Sequence, residues 1–354
     1  MTMKMPCPSG DQIAHFVLHG ASPGQSEQWV EHLSVCPACQ SEMDRCSADL
    51  PVPNRLAKTA PPSPESASIA RRILENARGI QMGGGGEPGW IGRYRLIRIL
   101  GSGAMGEVFE AEDTILGRRV ALKTIRPVAY SSATIQRIRI EATSLAALSH
   151  PNIVRIHGLE EHKGLPFLVM EQIHGAPLSD QLRRGPLSTD HAASLIERLA
   201  EALDHVHRSG VLHRDIKPSN ILLEQTETGK EKKDSESAQY QPRLIDFGLS
   251  KQVDTRPMDT LPGMVVGTPA YMAPEQAFPG NLKPDHRADV YGLGAVLYHC
   301  LTGQPPFPSD SAANTLQMIR NLEPPPPRLF SRAIPRDLET VCMKCLRKAP
   351  ADRY

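Results

Sequence analysis

From Tyr94 onward, short apolar runs are separated by glycine and charge. Tyr94-Arg95-Leu96-Ile97-Arg98-Ile99-Leu100 reads as a strand, and a glycine turn follows it. Further strands are predicted at Val108–Ala111 and Val120–Ile125, which makes this stretch a hairpin-rich β region. Apolar positions then recur at helical spacing, at Ile135, Ile138, Ala142, Leu145 and Leu148, after Ser131 and Ser132, which can cap. Two more strands are expected at Ile153–Gly158 and Phe167–Glu171. Beyond Pro177 the pattern turns mainly helical, most clearly over Ala192–His207. A β-rich first part followed by a helical second part predicts an α+β fold in two lobes.

Upstream of Tyr94 this patterning is absent. Residues 1–46 form a small unit containing Cys and His, and residues 47–90 read as a linker. The linker carries Pro51, Pro53, Pro61, Pro62 and Pro64, then Gly83 to Gly86, with a short helix conceivable over Ser66–Arg78. Such a composition buries too little apolar surface to offset the entropy of ordering.

The whole chain has 354 residues, 40% of them hydrophobic, enough for one large domain or two modest ones. A formal net charge of +1 gives no electrostatic case for nucleic acid. No apolar run approaches the ~20 residues needed to span a bilayer, and the N-terminus lacks the apolar core of a secretion signal. A cytoplasmic location is therefore expected. Seven cysteines in such a chain suggest reduced thiols or metal rather than disulfides.

The chemistry concentrates in short motifs. His213-Arg214-Asp215-Ile216-Lys217-Pro218-Ser219-Asn220 sets a proton acceptor, a cation and a metal-binding amide in one loop. Upstream, Gly101-Ser102-Gly103-Ala104-Met105-Gly106-Glu107-Val108 would let the backbone approach phosphate oxygens. Alone, that turn reads equally well as a plain hairpin. A dinucleotide-binding turn would open a helix, whereas this one joins two strand-like runs. Val120-Ala121-Leu122-Lys123 lies one strand later, and Glu141 on the predicted helix is suitably spaced to hold Lys123. Asp246-Phe247-Gly248 follows downstream.

Taken together, from about Tyr94 to the end the chain resembles a eukaryotic-type serine/threonine protein kinase of the bacterial kind. The resemblance implies the bilobal kinase fold, ATP as phosphoryl donor, Mg²⁺ (or Mn²⁺ in its place), and protein substrates. It implies that Asp215 orients or deprotonates the substrate hydroxyl and that Lys217 neutralises the transferred group. Asn220 and Asp246 resemble the Mg²⁺ ligands. Leu100, Gly101, Gly103, Gly106, Val108, Ala121 and Lys123 stand where the family contacts nucleotide, with Glu141 as partner of Lys123. Glu171 and Ile173 stand where hinge backbone groups meet adenine, beside Met170. Gly267-Thr268-Pro269 through Glu275 is similar to Ser/Thr rather than tyrosine kinases, and Thr268 is expected near Asp215 and Lys217. Asp289 is expected to brace the catalytic loop, and Arg353 to pair with a buried Glu275. Lys123, Asp215, Asn220 and Asp246 are expected to gather around one magnesium-bound triphosphate.

Arg214 before Asp215 implies control by phosphorylation between Gly248 and Gly267, at Ser250, Thr255 or Thr260, with Thr255 or Thr260 preferred. Autophosphorylation would involve transient pairing of two copies. Glu224–Gln241 is expected to be a solvated, mobile insertion where the family has a short hairpin. The family usually continues for another helix beyond Arg353, so the helical lobe is expected to be less stable here than in a longer chain.

In the N-terminal unit, His32-x-x-x-Cys36-x-x-Cys39 brings an imidazole and two sulfurs close together. A tetrahedral zinc site needs a fourth ligand. Cys7 is the first candidate, with His15 or Cys46 behind it. The spacing resembles the zinc-binding anti-sigma-factor module, which implies a sigma-factor-like or other regulatory partner. A small helical pair with free thiols is the plainer reading. Cys342-x-x-Cys345 lies in a predicted helix and reads as core thiols. Two other functions compete: a catalytically dead kinase-like scaffold, and a chain whose main role is partner binding by residues 1–46. Dead relatives commonly lose the lysine, the catalytic aspartate or the metal aspartate, and Lys123, Asp215 and Asp246 are all present.

Overall fold

The computed structural model describes residues 7, 9, 32, 36, 38–39, 89–103, 106–125, 140, 142–163, 165–225, 240–247, 269–278, 284–309 and 311–354. Glu141, Thr268, His15, Cys46, most of residues 47–90 and the stretch 248–268 with Ser250, Thr255 and Thr260 lie outside them. The chain divides into two compact units.

The first unit is built on a six-stranded antiparallel sheet in the order β1-β2-β3-β4-β6-β5. Its strands are β1 (Trp90–Ile91), β2 (Tyr94–Gly103), β3 (Gly106–Asp113), β4 (Arg118–Thr124), β5 (Ile156–His162) and β6 (Leu165–Glu171). Alternation decides which face is buried. Ile91, Tyr94, Leu96, Phe109, Ala111, Val120, Leu122, Phe167 and Val169 form one core cluster. On the other face of β3, Glu110 takes Arg98 at 2.7 Å and Arg119 at 3.0 Å, and Glu112 takes Arg95. At the far end of the sheet the Tyr94 hydroxyl donates to Glu160 at 2.7 Å, beside Arg93. Burial, then that bond, raise the Tyr94 pKa above the usual phenol range.

The second unit is mainly helical. It comprises α1 (Leu178–Leu182), α2 (Thr189–Arg208), α3 (Pro274–Ala277), α4 (His286–Thr302), α5 (Ala312–Asn321) and α6 (Arg336–Cys345), with a small sheet β7 (Gly175–Pro177), β8 (Ile221–Gln225) and β9 (Tyr240–Leu244). On α2, Leu195, Leu199, Ala202, Leu203 and Val206 are buried at spacings of three and four, one stripe of an amphipathic helix. Helix α4 is buried nearly all round and forms the centre of the unit. Asp285 caps its start by accepting from the Arg287 N–H at 2.8 Å, and Gly303 ends it at φ 77°. A Cβ on Gly294 of α4 would lie 2.4 Å from Cys345 Cβ, so glycine sets the close crossing of α4 and α6. Of the pair expected to be core thiols, Cys342 is fully buried and Cys345 partly so, and burial raises both thiols; Cys300, not singled out from the sequence, is buried as well.

Three sequence expectations are corrected. Trp90, assigned to the linker, pairs with Arg95 and opens the sheet. The strand expected at Ile153–Gly158 runs instead over Ile156–His162, and Ile153 makes only an isolated bridge to Leu244. The ends of the supposed insertion are strand, since Glu224 pairs with Gln241 and Gln225 with Tyr240. Residues 226–239 lie outside the described set.

Candidate active site and cysteine cluster

In the second unit, loop and metal-motif residues are fastened by α4. Asp289, one turn into the helix, accepts from the His213 N–H at 2.8 Å and the Arg214 N–H at 2.7 Å, and lies 2.8 Å from His207 Nε2 on α2. Burial would raise its pKa, but the hydrogen bond from His207 and the two nearby histidines outweigh burial and hold it below the ordinary value. A Cβ on Gly292 would approach Ile216 Cβ to 2.9 Å, so the helix backbone packs directly on the loop between Asp215 and Lys217.

The loop then turns its chemistry toward one point. Lys217 Nζ donates to Asp215 Oδ2 at 2.8 Å. Asn220 Nδ2 donates to the same oxygen at 3.0 Å and to the Asp215 carbonyl at 2.8 Å. Both amide hydrogen bonds use the nitrogen, so the Asn220 side-chain oxygen faces away from Asp215. The Ile245 N–H donates to the Asn220 carbonyl at 2.9 Å, which brings the residue before Asp246 alongside Asn220. His213 packs on Phe247 with ring centres 4.6 Å apart. Arg214 (φ 61°) and Asp246 (φ 65°) both hold the left-handed backbone that non-glycine residues rarely adopt. Such strain clusters at functional sites.

The segment at residues 269–278 also touches this loop. Gln276 Nε2 donates to the Arg214 carbonyl at 3.1 Å. Asp215, Lys217, Tyr271, Met272 and Gln276 line a common hollow. Tyr271 Oη lies 2.6 Å from His299 Nδ1. Glu275 and Arg353 form the expected pair, bidentate at 2.6 and 2.9 Å. Arg353 also donates to the carbonyls of Arg347, Arg287 and Lys348, which satisfies its guanidinium within the buried site. His207 and Gln276 were not singled out from the sequence; neither carries a motif.

In the first unit, the turn of β2 and β3 closes with Gly103 opposite Gly106. Val108 pairs with Lys123 and Met170 with Ala121, so these nucleotide-motif residues share adjoining strands. Leu100 is exposed at the turn, and a Cβ on Gly101 would meet open space. The Glu171 N–H donates to the Arg155 carbonyl, and its carboxylate accepts from the Arg155 N–H at 2.7 Å. The chain passes from the first unit to the second between Gln172 and Ile173.

The cysteine motif comes together as well. Ligand atoms of Cys7, His32, Cys36 and Cys39 all lie within 4.8 Å of one another. Cys7 Sγ is 3.6 Å from Cys36 Sγ, and His32 Nε2 is 3.3 Å from Cys39 Sγ. The cysteines are free, not bridged. The Cys39 backbone N–H, then the Cys7 thiol, lower the Cys36 pKa. No helix among the described residues is long and apolar enough to cross a membrane.

A family model described as the protein kinase domain matches residues 94–354. The serine/threonine-protein kinase PknA of Mycobacterium tuberculosis is 41% identical over 270 residues, covering 74% of this chain and 58% of PknA. The serine/threonine-protein kinase Pkn1 of Myxococcus xanthus is 36% identical over 264 residues, covering 74% of this chain and 36% of Pkn1. The chain thus spans little more than half of these relatives at most. Among solved structures, the kinase domain of M. tuberculosis PknI matches with a TM-score of 0.58 and 27% identity, covering 76% of this chain and 94% of that one. On a match that takes in residues 94–354 and relatives at this identity, the chain belongs to the protein kinase domain family, beside the bacterial serine/threonine kinases.

Proposed function

We propose that this chain transfers the γ-phosphoryl group of ATP to serine or threonine hydroxyls of protein substrates. The observation that carries the reading is the arrangement at Asp215: one carboxylate oxygen fixed by Lys217 and Asn220, in a loop clamped by Asp289. Asp215 receives and orients the acceptor hydroxyl, and Lys217 offsets negative charge on the group in transfer. Asn220 and Asp246 supply an amide and a carboxylate oxygen, the hard donors that Mg²⁺ takes. The outward-turned amide oxygen of Asn220 fits that role. A bound Mg²⁺ supplies charge neutralisation at the phosphates. In the first unit Lys123 pairs with the α- and β-phosphates, with Glu141 as its counter-ion. Leu100, Gly101, Gly103, Gly106, Val108 and Ala121 cover the nucleotide, and backbone groups of Glu171 and Ile173 meet adenine. Incubation with radiolabelled ATP, Mg²⁺ and a generic protein substrate tests the reading. Label on serine or threonine supports it, and an unlabelled substrate at every metal tried overturns it.

Regulation rests on Arg214, beside Asp215. Phosphate on Thr255 or Thr260 would supply the ~−2 charge that such an arginine pairs with. After Mg-ATP treatment, peptide mapping is expected to find phosphate on one of the two. An active enzyme with an unmodified loop excludes it.

The cysteine cluster supports a second element, a structural zinc site. Zn–S bonds of about 2.3 Å at tetrahedral angles place ligand atoms roughly 3.7 Å apart, close to the 3.6 Å between Cys7 Sγ and Cys36 Sγ and the 3.3 Å between His32 Nε2 and Cys39 Sγ. With it, residues 1–46 would form a module for a regulatory protein partner, joined to the kinase domain by residues 47–90. The purified chain should carry about one equivalent of zinc, lost in Cys36→Ser and Cys39→Ser proteins. Metal analysis that finds no zinc, before and after incubation of the reduced chain with the metal, rules the site out.

A further inference from the structure

We infer that Thr124 fastens the glycine turn to the lysine-bearing strand and thereby sets the affinity of that turn for nucleotide phosphates. The inference rests on the kinase reading and names a positioning residue within it. Backbone pairing of β3 with β4 stops at Val108 and Lys123. One residue further along, β4 is already committed to β6: Thr124 stands opposite Phe167, and the Ile125 N–H donates to the Pro166 carbonyl at 2.9 Å. From here the turn has no ladder to β4. The Thr124 hydroxyl replaces it. Its oxygen accepts from the Glu107 N–H at 3.0 Å and donates to the Glu107 carbonyl at 3.2 Å, so one side chain satisfies both backbone groups.

The fit is close on the turn side too. Gly106 holds φ 152°, and a Cβ there would lie 1.9 Å from the Thr124 carbonyl oxygen and 3.1 Å from its hydroxyl. Thr124 and Glu107 are fully buried, so water does not compete for these bonds. The latch lies between the last glycine of the turn and Lys123, the two features that the phosphates would meet. Without it, the Glu107 N–H and carbonyl each lose a buried hydrogen bond, and the turn is held less closely to β4. An apolar side chain of the same size keeps the packing and removes only the latch.

The test compares the wild-type chain with Thr124→Val and Thr124→Ser. Amide exchange at Glu107 and displacement of a fluorescent ATP analogue are both read, followed by steady-state kinetics. In Thr124→Val, which removes both bonds to Glu107, exchange at Glu107 and the ATP Kd and KM should each rise about tenfold or more. Exchange at Phe109 and Ala111, the KM for protein substrate, and kcat at saturating ATP should stay within about twofold of wild type. Thr124→Ser, which keeps the hydroxyl, should restore tight nucleotide binding. Unchanged exchange or unchanged nucleotide affinity in the valine protein overturns the inference. So does a serine protein as weak as the valine one, because the methyl group would then be what matters. A valine protein that fails to fold also overturns it, since the hydroxyl would then hold the sheet as a whole. If the wild type binds no nucleotide, the kinase reading itself fails, while exchange at Glu107 still decides whether Thr124 holds the turn.

Discussion

Asp215→Asn should lower phosphoryl transfer by about 10²- to 10⁴-fold while leaving ATP affinity within a few-fold of wild type. The substitution keeps the shape of the side chain and removes its charge and its proton-accepting oxygen. Lys217 and Asn220 both donate to Asp215 Oδ2, so a neutral amide there also weakens their hold on the loop. The nucleotide-contacting residues proposed on β2, β3 and β4 are untouched, which is why binding should survive. Single-turnover transfer and nucleotide binding, measured on the same preparation, separate the two quantities. A variant retaining more than about a tenth of wild-type transfer would remove Asp215 from the chemistry. A variant that loses ATP binding in parallel would assign Asp215 to structure instead.

The residues around Asp215 were legible because their chemistry is written in consecutive positions. His213 through Asn220 fold on themselves, and their mutual contacts span five residues or fewer. Asp289 and Arg353 could be assigned to partners only through the family resemblance. Their contacts reach across 76 and 78 residues, and no local pattern records such distances. His207 shows the limit plainly. On α2 it is one of two histidines in the last turn, and nothing nearby distinguishes it from a solvated one. Its role appears only when α4, 82 residues on, presents Asp289.

Strand positions were legible where one face is buried and misplaced where it is not. Phe109 and Ala111 alternate with Glu110 and Glu112, and the apolar run Val120-Ala121-Leu122 stands between Arg119 and Lys123, which gave the hairpins of the first unit. Glu160, Glu161 and His162 complete β5 with no apolar alternation at all. β5 is an edge of its sheet, so those side chains need not face a core. Glu160 is held instead by the Tyr94 hydroxyl and Arg93. Glu224 and Gln225 look like the start of a polar insertion, yet they end the central strand of the small sheet, where backbone pairing with Gln241 and Tyr240 leaves no apolar pattern to read. Thr124 was passed over because a threonine after an apolar strand looks like an ordinary β residue.

Asp289→Asn should cost the second unit about 3 kcal/mol of stability and cut activity with it. The carboxylate serves three donors: two backbone N–H groups of the loop and the His207 ring. An asparagine in the same place can offer one oxygen. Its NH₂ group then faces a donor, and a buried N–H of His213 or Arg214 loses its partner. The effect has a defined pH signature. The carboxyl pKa is depressed in the folded chain relative to its ordinary value of 3.8. A depressed acid contributes stability that is complete above the unfolded value and fades as pH falls through the lower folded one. The gap between wild type and Asp289→Asn should therefore hold constant from pH 7 to about 5 and narrow only below about 4. Urea unfolding of both proteins across that range measures it. A gap that closes well above pH 4 would place the dominant titration on a group other than this carboxyl, and equal stabilities at pH 7 would mean that the loop does not depend on this clamp.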